Sequence, residues 1–195
     1  MEENERQELT PQEINQLPLR AYEGPVHLVK DSETLARATA DLELETVLGF
    51  DTETRPSFRK GESHLPALVQ LATHAAVYLF QIKRIRDRSP LARILSRSLT
   101  IKTGVGMDFD VKQLREVFPF EPQGFVDLVT LSEPLGIKAA GLRNLAANLL
   151  GFRISKARKI SNWARRDLTP AQITYAATDA WISRELYLKL KAMSL

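Results

Sequence analysis

Residues 46–81, TVLGFDTETRPSFRKGESHLPALVQLATHAAVYLFQ, contain three β-rich runs, Thr46–Asp51, Ala67–Thr73 and Ala76–Gln81, with no helical pattern between them. Runs of β-branched, leucine and aromatic residues joined only by turn residues pair as antiparallel neighbours. On either side, strand and helix patterns alternate. Val26–Val29, Thr100–Val105 and Phe125–Leu128 read as further strands. Ser32–Leu44, Pro90–Ser96, Phe109–Val117, Gly141–Leu150 and Pro170–Met193 read as helices, the last with Thr169 as N-cap and Pro170 at its first position. Strands separated by helices run parallel. The expectation is an α/β domain over residues 25–195, with a mixed central sheet and helices on both faces, preceded by a polar arm over residues 1–24. Pro11 and Pro18 interrupt that arm, and Thr10 can cap a short helix in it.

Composition narrows the function classes. The 195 residues are 44% apolar and 26% charged, as in ordinary globular proteins, which excludes a disordered chain, a collagen-like fibre and a bare coiled coil. With no cysteine, disulfides, thiolate metal sites and cysteine nucleophiles are excluded, in keeping with a reducing cytoplasm. The longest apolar run, Ala75 to Phe80, is far short of a membrane span, and the acidic start is wrong for a signal peptide. A soluble protein, cytoplasmic or nucleoid-associated and without a membrane partner, is expected. The net charge of +3 hides a net −4 on residues 1–16, so the remainder carries +7. Lys83, Arg84, Arg86, Arg88, Arg93 and Arg97 form one basic cluster, and Arg153, Lys156, Arg158, Lys159, Arg165 and Arg166 another. Such clusters either solubilise a face or meet an anionic partner.

Three acidic stretches can carry chemistry. In Gly49-Phe50-Asp51-Thr52-Glu53, strand alternation puts Asp51 and Glu53 on one face. Two close carboxylates there need a proton, a basic partner or a cation; the alternative is a strand running out into an exposed acidic turn. In Gly104-Val105-Gly106-Met107-Asp108-Phe109-Asp110, a strand turns into a helix as in phosphate-cradling loops. The dinucleotide fingerprint fails, because Phe109 stands where its third glycine belongs and Asp108 and Asp110 would repel a pyrophosphate. Acids at that helix start serve either a metal or simple capping. In Tyr175-Ala176-Ala177-Thr178-Asp179-Ala180, the phenol and the carboxylate share one helix face at i, i+4. They form either part of a site or a solvated pair.

Taken in order, Asp-x-Glu at a strand end, Gly-x-Gly-x-x-x-Asp at a strand-to-helix turn and Tyr-x-x-x-Asp in a late helix resemble the DEDD superfamily of 3′–5′ exonucleases, tyrosine subclass. The histidine subclass places a histidine where this chain has Thr174. Ser161-Asn162-Trp163, Leu168-Thr169, Tyr175 to Ala180 and Gly104-Val105-Gly106 look most like the exonuclease domain of the Werner-syndrome helicase. The catalytic domain of ribonuclease D is also similar. The resemblance implies a ribonuclease H-like (DnaQ-like) fold. It makes Asp51, Glu53, Asp110 and Asp179 the metal-binding acids and Tyr175 the residue that orients the attacking water, with Asp108 outside the motif. It implies two divalent cations, Mg²⁺ or Mn²⁺, and release of nucleoside 5′-monophosphates from nucleic acid 3′ ends. Single-stranded or frayed DNA is the favoured substrate, and RNA trimming of the ribonuclease D type is the second. A catalytically silent nucleic-acid-binding module remains as a reading from another class. Independently, four hard oxygen ligands suit Mg²⁺ or Mn²⁺, whereas His27, His64 and His74 lack ligand spacing.

Candidate substrate contacts are Thr52 within the first motif and Leu71, in the stretch Leu68 to Leu71 of the next strand, which packs either against the terminal nucleotide, as related domains imply, or as plain core. Lys112 stands where helicase-associated members carry an aromatic, so it is expected to meet a phosphate. Trp163 with Arg165 and Arg166 can clamp the backbone, since an aromatic with a basic rim is a common grip on single strands; the alternative is that Trp163 serves packing alone.

Overall fold

A computed structural model of the chain describes residues 8–57, 61–138, 141–157 and 160–194. Arg158 and Lys159, counted in the second basic cluster, lie outside the described residues, as do the first seven residues of the acidic arm. The elements run α1 (Pro11–Gln16), β1 (Val26–Val29), α2 (Ser32–Glu43), β2 (Val47–Thr54), β3 (Pro66–Ala72), β4 (Val77–Gln81), α3 (Ser89–Leu95), β5 (Ile101–Gly104), α4 (Met107–Val117), β6 (Phe125–Asp127), α5 (Leu128–Ser132), α6 (Leu142–Leu150) and α7 (Pro170–Met193).

The six strands form one sheet in the order β1-β4-β3-β2-β5-β6. β2, β3 and β4 pair antiparallel, and β1 with β4, β2 with β5 and β5 with β6 pair parallel, as the helix-free stretch 46–81 predicts. Strand parity divides the core. Leu48, Phe50, Val69, Leu71, Tyr78 and Phe80 pack with Leu35, Leu42, Ile94, Met107 and Leu114 from α2, α3 and α4. On the other face Leu68, Ala72, Val77 and Leu79 meet Ala176, Ala177 and Ala180 of α7. α5 and α6 then pack on α7 through Leu128, Leu145, Ile182, Leu186 and Leu190.

Local chemistry sets the boundaries. Thr169 accepts from the Gln172 amide, Gln172 bonds back to the Thr169 amide and Pro170 fills the first turn, so α7 starts where the caps predict. α4 begins at Met107, two residues before the expected Phe109, because Gly106 at φ 65° can take the left-handed N-cap position. The expected strand Phe125–Leu128 stops at Asp127, whose carboxylate accepts from the Val129 amide at 2.8 Å and starts α5, a helix the sequence pattern does not announce.

The described part of the N-terminal arm lies against the body. The Leu9 amide donates to Asn148 Oδ1 of α6 at 2.9 Å, and Arg143 of α6 donates to Asn15 Oδ1 at 2.5 Å. Leu19 and Arg153 form a parallel bridge, with the Arg20 amide donating to the Arg153 carbonyl at 2.9 Å and the Arg153 amide to the Pro18 carbonyl at 3.0 Å. The Tyr22 amide donates to Thr178 Oγ1 of α7 at 2.9 Å.

Lys102 of β5 is buried, and its ammonium donates to the carbonyls of Arg97 at 2.7 Å and Thr100 at 2.8 Å. Burial, helped by Arg97, pulls its pKa down to about 8. The unfolded lysine titrates near 10.4, so from about pH 8 to 10 the unfolded chain binds the extra proton. Stability therefore rises with pH across that window, because the neutral amine still has two N–H groups for its two carbonyls. Tyr78, held above its ordinary value by burial and Asp41, opposes this only above about pH 10. Urea midpoints should increase from pH 7.5 to 9.5, and Lys102→Met should flatten that increase. Parallel pH dependences of the two proteins would contradict the assignment.

Candidate active site

The acids arrive from three elements. β2 is central, flanked by β3 and β5, and its parity turns Asp51 and Glu53 toward α7. A side chain at Gly49 would block this arrangement, since a Cβ there would lie 1.9 Å from the Ala180 carbonyl oxygen of α7. The absence of that Cβ lets the helix backbone approach the strand, which brings Asp179, the neighbour of Ala180, beside Asp51. Carboxylate oxygens of Asp51, Glu53 and Asp179 all lie within 4.8 Å of one another. Asp110, from the first turn of α4, lines the same cavity outside that triad, and Tyr175 reaches it from one turn before Asp179.

Electrostatics follow from this crowding. Burial pushes the Asp51 carboxyl well above the usual carboxylate range, and the neighbouring Asp179 and Asp110 push it further. Asp110 is also raised by burial, opposed by the Thr52 hydroxyl. The Tyr175 phenol is raised by burial, by the carboxylates of Asp179, Glu53 and Asp51, and by its hydrogen bond with Asp179. It stays a neutral O–H donor at any working pH. Such a site can hold cations and orient a polar molecule, but it repels an unescorted anion.

The cavity holds about 500 Å³, and Thr52 is among the residues that line it. Gly141 to Asn144 at the start of α6 and Ile154, Ser155 and Lys156 also line it. Arg143 and Lys156 there are the cationic counterpart of the acids. Lys156 was visible in sequence only as part of a basic cluster, and Arg143 as the one charge in an apolar helix. Gln70, the register partner of Asp51, was also missed. It is fully buried on the same face, and neither polar atom of its side chain has a hydrogen-bond partner among the described residues.

The expected substrate contacts divide. Leu71 does not reach the site: it pairs with Phe50, faces α2, α3 and α4, and is fully buried, so it has no surface for a nucleotide. Lys112 is exposed on α4 and does not line the cavity. Trp163 is 1% exposed and packs behind Tyr175 with ring centroids 5.9 Å apart, which makes it a support for the phenol and leaves no face for stacking a base. Arg165 and Arg166 line a separate cavity with Gln81, Lys83 and Arg84. The glycine turn is not a phosphate cradle, because the Gly106 amide already donates to Asp127 Oδ2 at 2.6 Å. Asp108 is exposed and does not line the cavity.

Comparison with known proteins agrees with this geometry. DNA polymerase I of Aquifex aeolicus is 30% identical over 165 residues, which is 85% of this chain and 27% of that protein. The mouse bifunctional 3′–5′ exonuclease/ATP-dependent helicase WRN is 29% identical over 185 residues, 89% of this chain and 13% of the relative. The chain thus spans about a quarter or less of these relatives. The crystal structure of the Aedes aegypti Nibbler EXO domain superposes with a TM-score of 0.80 at 25% identity, covering 90% of this chain and 91% of that one. The sheet with its helices is the ribonuclease H-like exonuclease fold that the motif order implies. The sequence profile of the 3′–5′ exonuclease family matches residues 26–194, a span that includes all four acids and Tyr175, and the chain belongs to that family.

Proposed function

We propose that this protein is a divalent-metal-dependent exonuclease that removes nucleoside 5′-monophosphates one at a time from nucleic acid 3′ ends in the cytoplasm. The observation that carries the reading is the convergence of Asp51, Glu53 and Asp179 oxygens within 4.8 Å, beside Tyr175 and in one cavity with Asp110. The donor set fits a hard cation: every candidate ligand is a carboxylate oxygen, and Asp51 is raised by burial and then by the repulsion of Asp179 and Asp110, which positive charge would relieve. Asp51, Glu53, Asp110 and Asp179 would hold two ions, Mg²⁺ or Mn²⁺. When bound, such ions supply an acidified water and neutralise charge on the transferred phosphoryl and the leaving oxygen.

The chain's own groups do the rest. Tyr175, kept protonated and braced by Trp163, donates to Asp179 or to a water and so fixes the direction of attack. Lys156 and Arg143, the latter also bonded to Asn15, line the same cavity and supply positive charge that offsets the scissile phosphate. Thr52 holds back the rise of Asp110 and keeps that carboxylate ready to bind a cation.

DNA is the favoured substrate, supported by the DNA polymerase and helicase relatives. The similarity of the chain to ribonuclease D supports RNA 3′ trimming as the second reading. Matched 5′-labelled DNA and RNA strands, single and duplex, should be incubated with the protein across a Mg²⁺ and Mn²⁺ titration. The expected product is a ladder shortened from the 3′ end, with nucleoside 5′-monophosphates released and no shortening in chelator. Intact 3′ ends on every substrate at every metal concentration would overturn the proposal.

A further inference from the structure

A second cavity, of about 300 Å³, opens at the same end of the sheet. Ala67 of β3, Gln81 of β4, Lys83, Arg84 and the loop Ala164 to Arg166 line it. Four of these residues are cationic and none is acidic. Lys83, Arg84, Arg165 and Arg166 make no ion pair among the described residues. The loop is held through its main chain: Gln81 Nε2 donates to the Arg166 carbonyl at 2.9 Å and Arg84 Nη1 to the same oxygen at 3.2 Å. The side chains of Lys83, Arg165 and Arg166 are exposed. Crowding cations round a concave surface without a counter-charge costs energy that an anionic ligand returns.

The register places this cavity relative to the acids. Glu53 pairs with Leu68 and Leu68 with Gln81, so the three lie in one row across the sheet, all on the α7 face. Two strand spacings separate Glu53 from Gln81, roughly 10 Å. Trp163 fills the interval, with Tyr175 and the acid cavity on one side and Ala164 to Arg166 on the other.

We propose that the basic cavity binds backbone phosphates of the single strand whose 3′ end lies in the acid cavity, with Lys83, Arg84, Arg165 and Arg166 as a sequence-independent grip. This rests on the exonuclease reading and adds to it where the upstream strand runs: along the end of the sheet over β3 and β4. Arginine side chains suit the role because their planar fork meets phosphate oxygens in pairs.

The test compares the wild type with Lys83→Gln/Arg165→Gln, two exposed changes that leave the Gln81 and Arg84 bonds to the loop intact. The p-nitrophenyl ester of thymidine 5′-phosphate occupies the acid cavity alone, whereas a labelled oligonucleotide of about 12 residues can span both cavities. The variant should hydrolyse the ester at the wild-type rate, and its KM for the oligonucleotide should rise about tenfold with kcat unchanged. The slope of log affinity against log salt should fall by about 1.4, two single-strand phosphate contacts. An unchanged KM and salt slope, or equal losses on both substrates, would overturn the proposal. If the wild type hydrolyses neither substrate, the exonuclease reading fails. Fluorescence anisotropy of the oligonucleotide then decides this site by itself: weaker binding by the variant supports it, and equal binding overturns it.

Discussion

Asp51→Asn protein should lose hydrolysis by about a thousandfold or more while melting at a higher temperature than the parent in chelator. The loss follows from removing a charge from the acid set, since several kcal/mol of transition-state stabilisation correspond to three or more powers of ten. The gain follows from the same crowding. A carboxyl held above its ordinary value by burial and by Asp179 and Asp110 makes the fold less stable as pH rises through that value, because the folded form keeps the proton that the unfolded form releases. Asparagine preserves the shape and removes the cost. In a domain of this size each kcal/mol relieved raises the melting temperature by about 2–4 °C. Adding Mg²⁺ or Mn²⁺ should then raise the melting temperature of the parent by more than that of the variant. A variant that cleaves within tenfold of the parent, or that melts lower in chelator, would show that Asp51 is not part of a cation site.

Gly49→Ala should be the most damaging single-methyl change in the chain. The added Cβ would meet the Ala180 carbonyl oxygen at 1.9 Å and the Arg184 amide nitrogen at 2.9 Å, both main-chain atoms that cannot swing aside. α7 must therefore shift from β2, at a cost of about 3 kcal/mol or more. The melting temperature should fall by roughly 6–12 °C. The shift also carries Asp179 away from Asp51, and a displacement of about 1 Å at reacting groups can lower the rate by about a hundredfold. Activity measured below the melting transition, where the variant is still folded, separates the two effects. A variant of unchanged melting temperature would mean that the helix does not rest on the strand as described.

The legible parts of the fold were those governed by local rules. α7 could be bounded because Thr169, Pro170 and Gln172 form its cap within four residues. Asp51 and Glu53 could be paired by strand parity, and Tyr175 and Asp179 by helix spacing, without knowing what lay opposite. Their convergence with Asp110 needed the motif order, because α4 and α7 meet the strand from different faces of the sheet. Arg143 was not legible, since its place in the cavity depends on how α6 docks on α7. Leu71 was misplaced for a related reason. Alternation says that Leu68 and Leu71 face opposite ways but not which of them faces the helix that carries the site. Trp163 beside Arg165 and Arg166 suggested one clamp, yet burial divides the three: the indole faces inward to Tyr175, and the guanidinium groups lie at another cavity.

The family profile begins at residue 26, past the segment that joins Asn148 and Arg143, Arg153 and Thr178 through Leu9, Asn15, Arg20 and Tyr22. Of those four anchor points, Arg143 lines the acid cavity, Arg153 immediately precedes the lining residues Ile154 to Lys156, and Thr178 immediately precedes Asp179. The segment outside the family match is therefore tied to residues of the acid cavity and to their chain neighbours. Changes in residues 8–24 can therefore reach the acid cavity without altering any of its carboxylates, and chimaeras that exchange these residues between relatives would measure how far such changes carry.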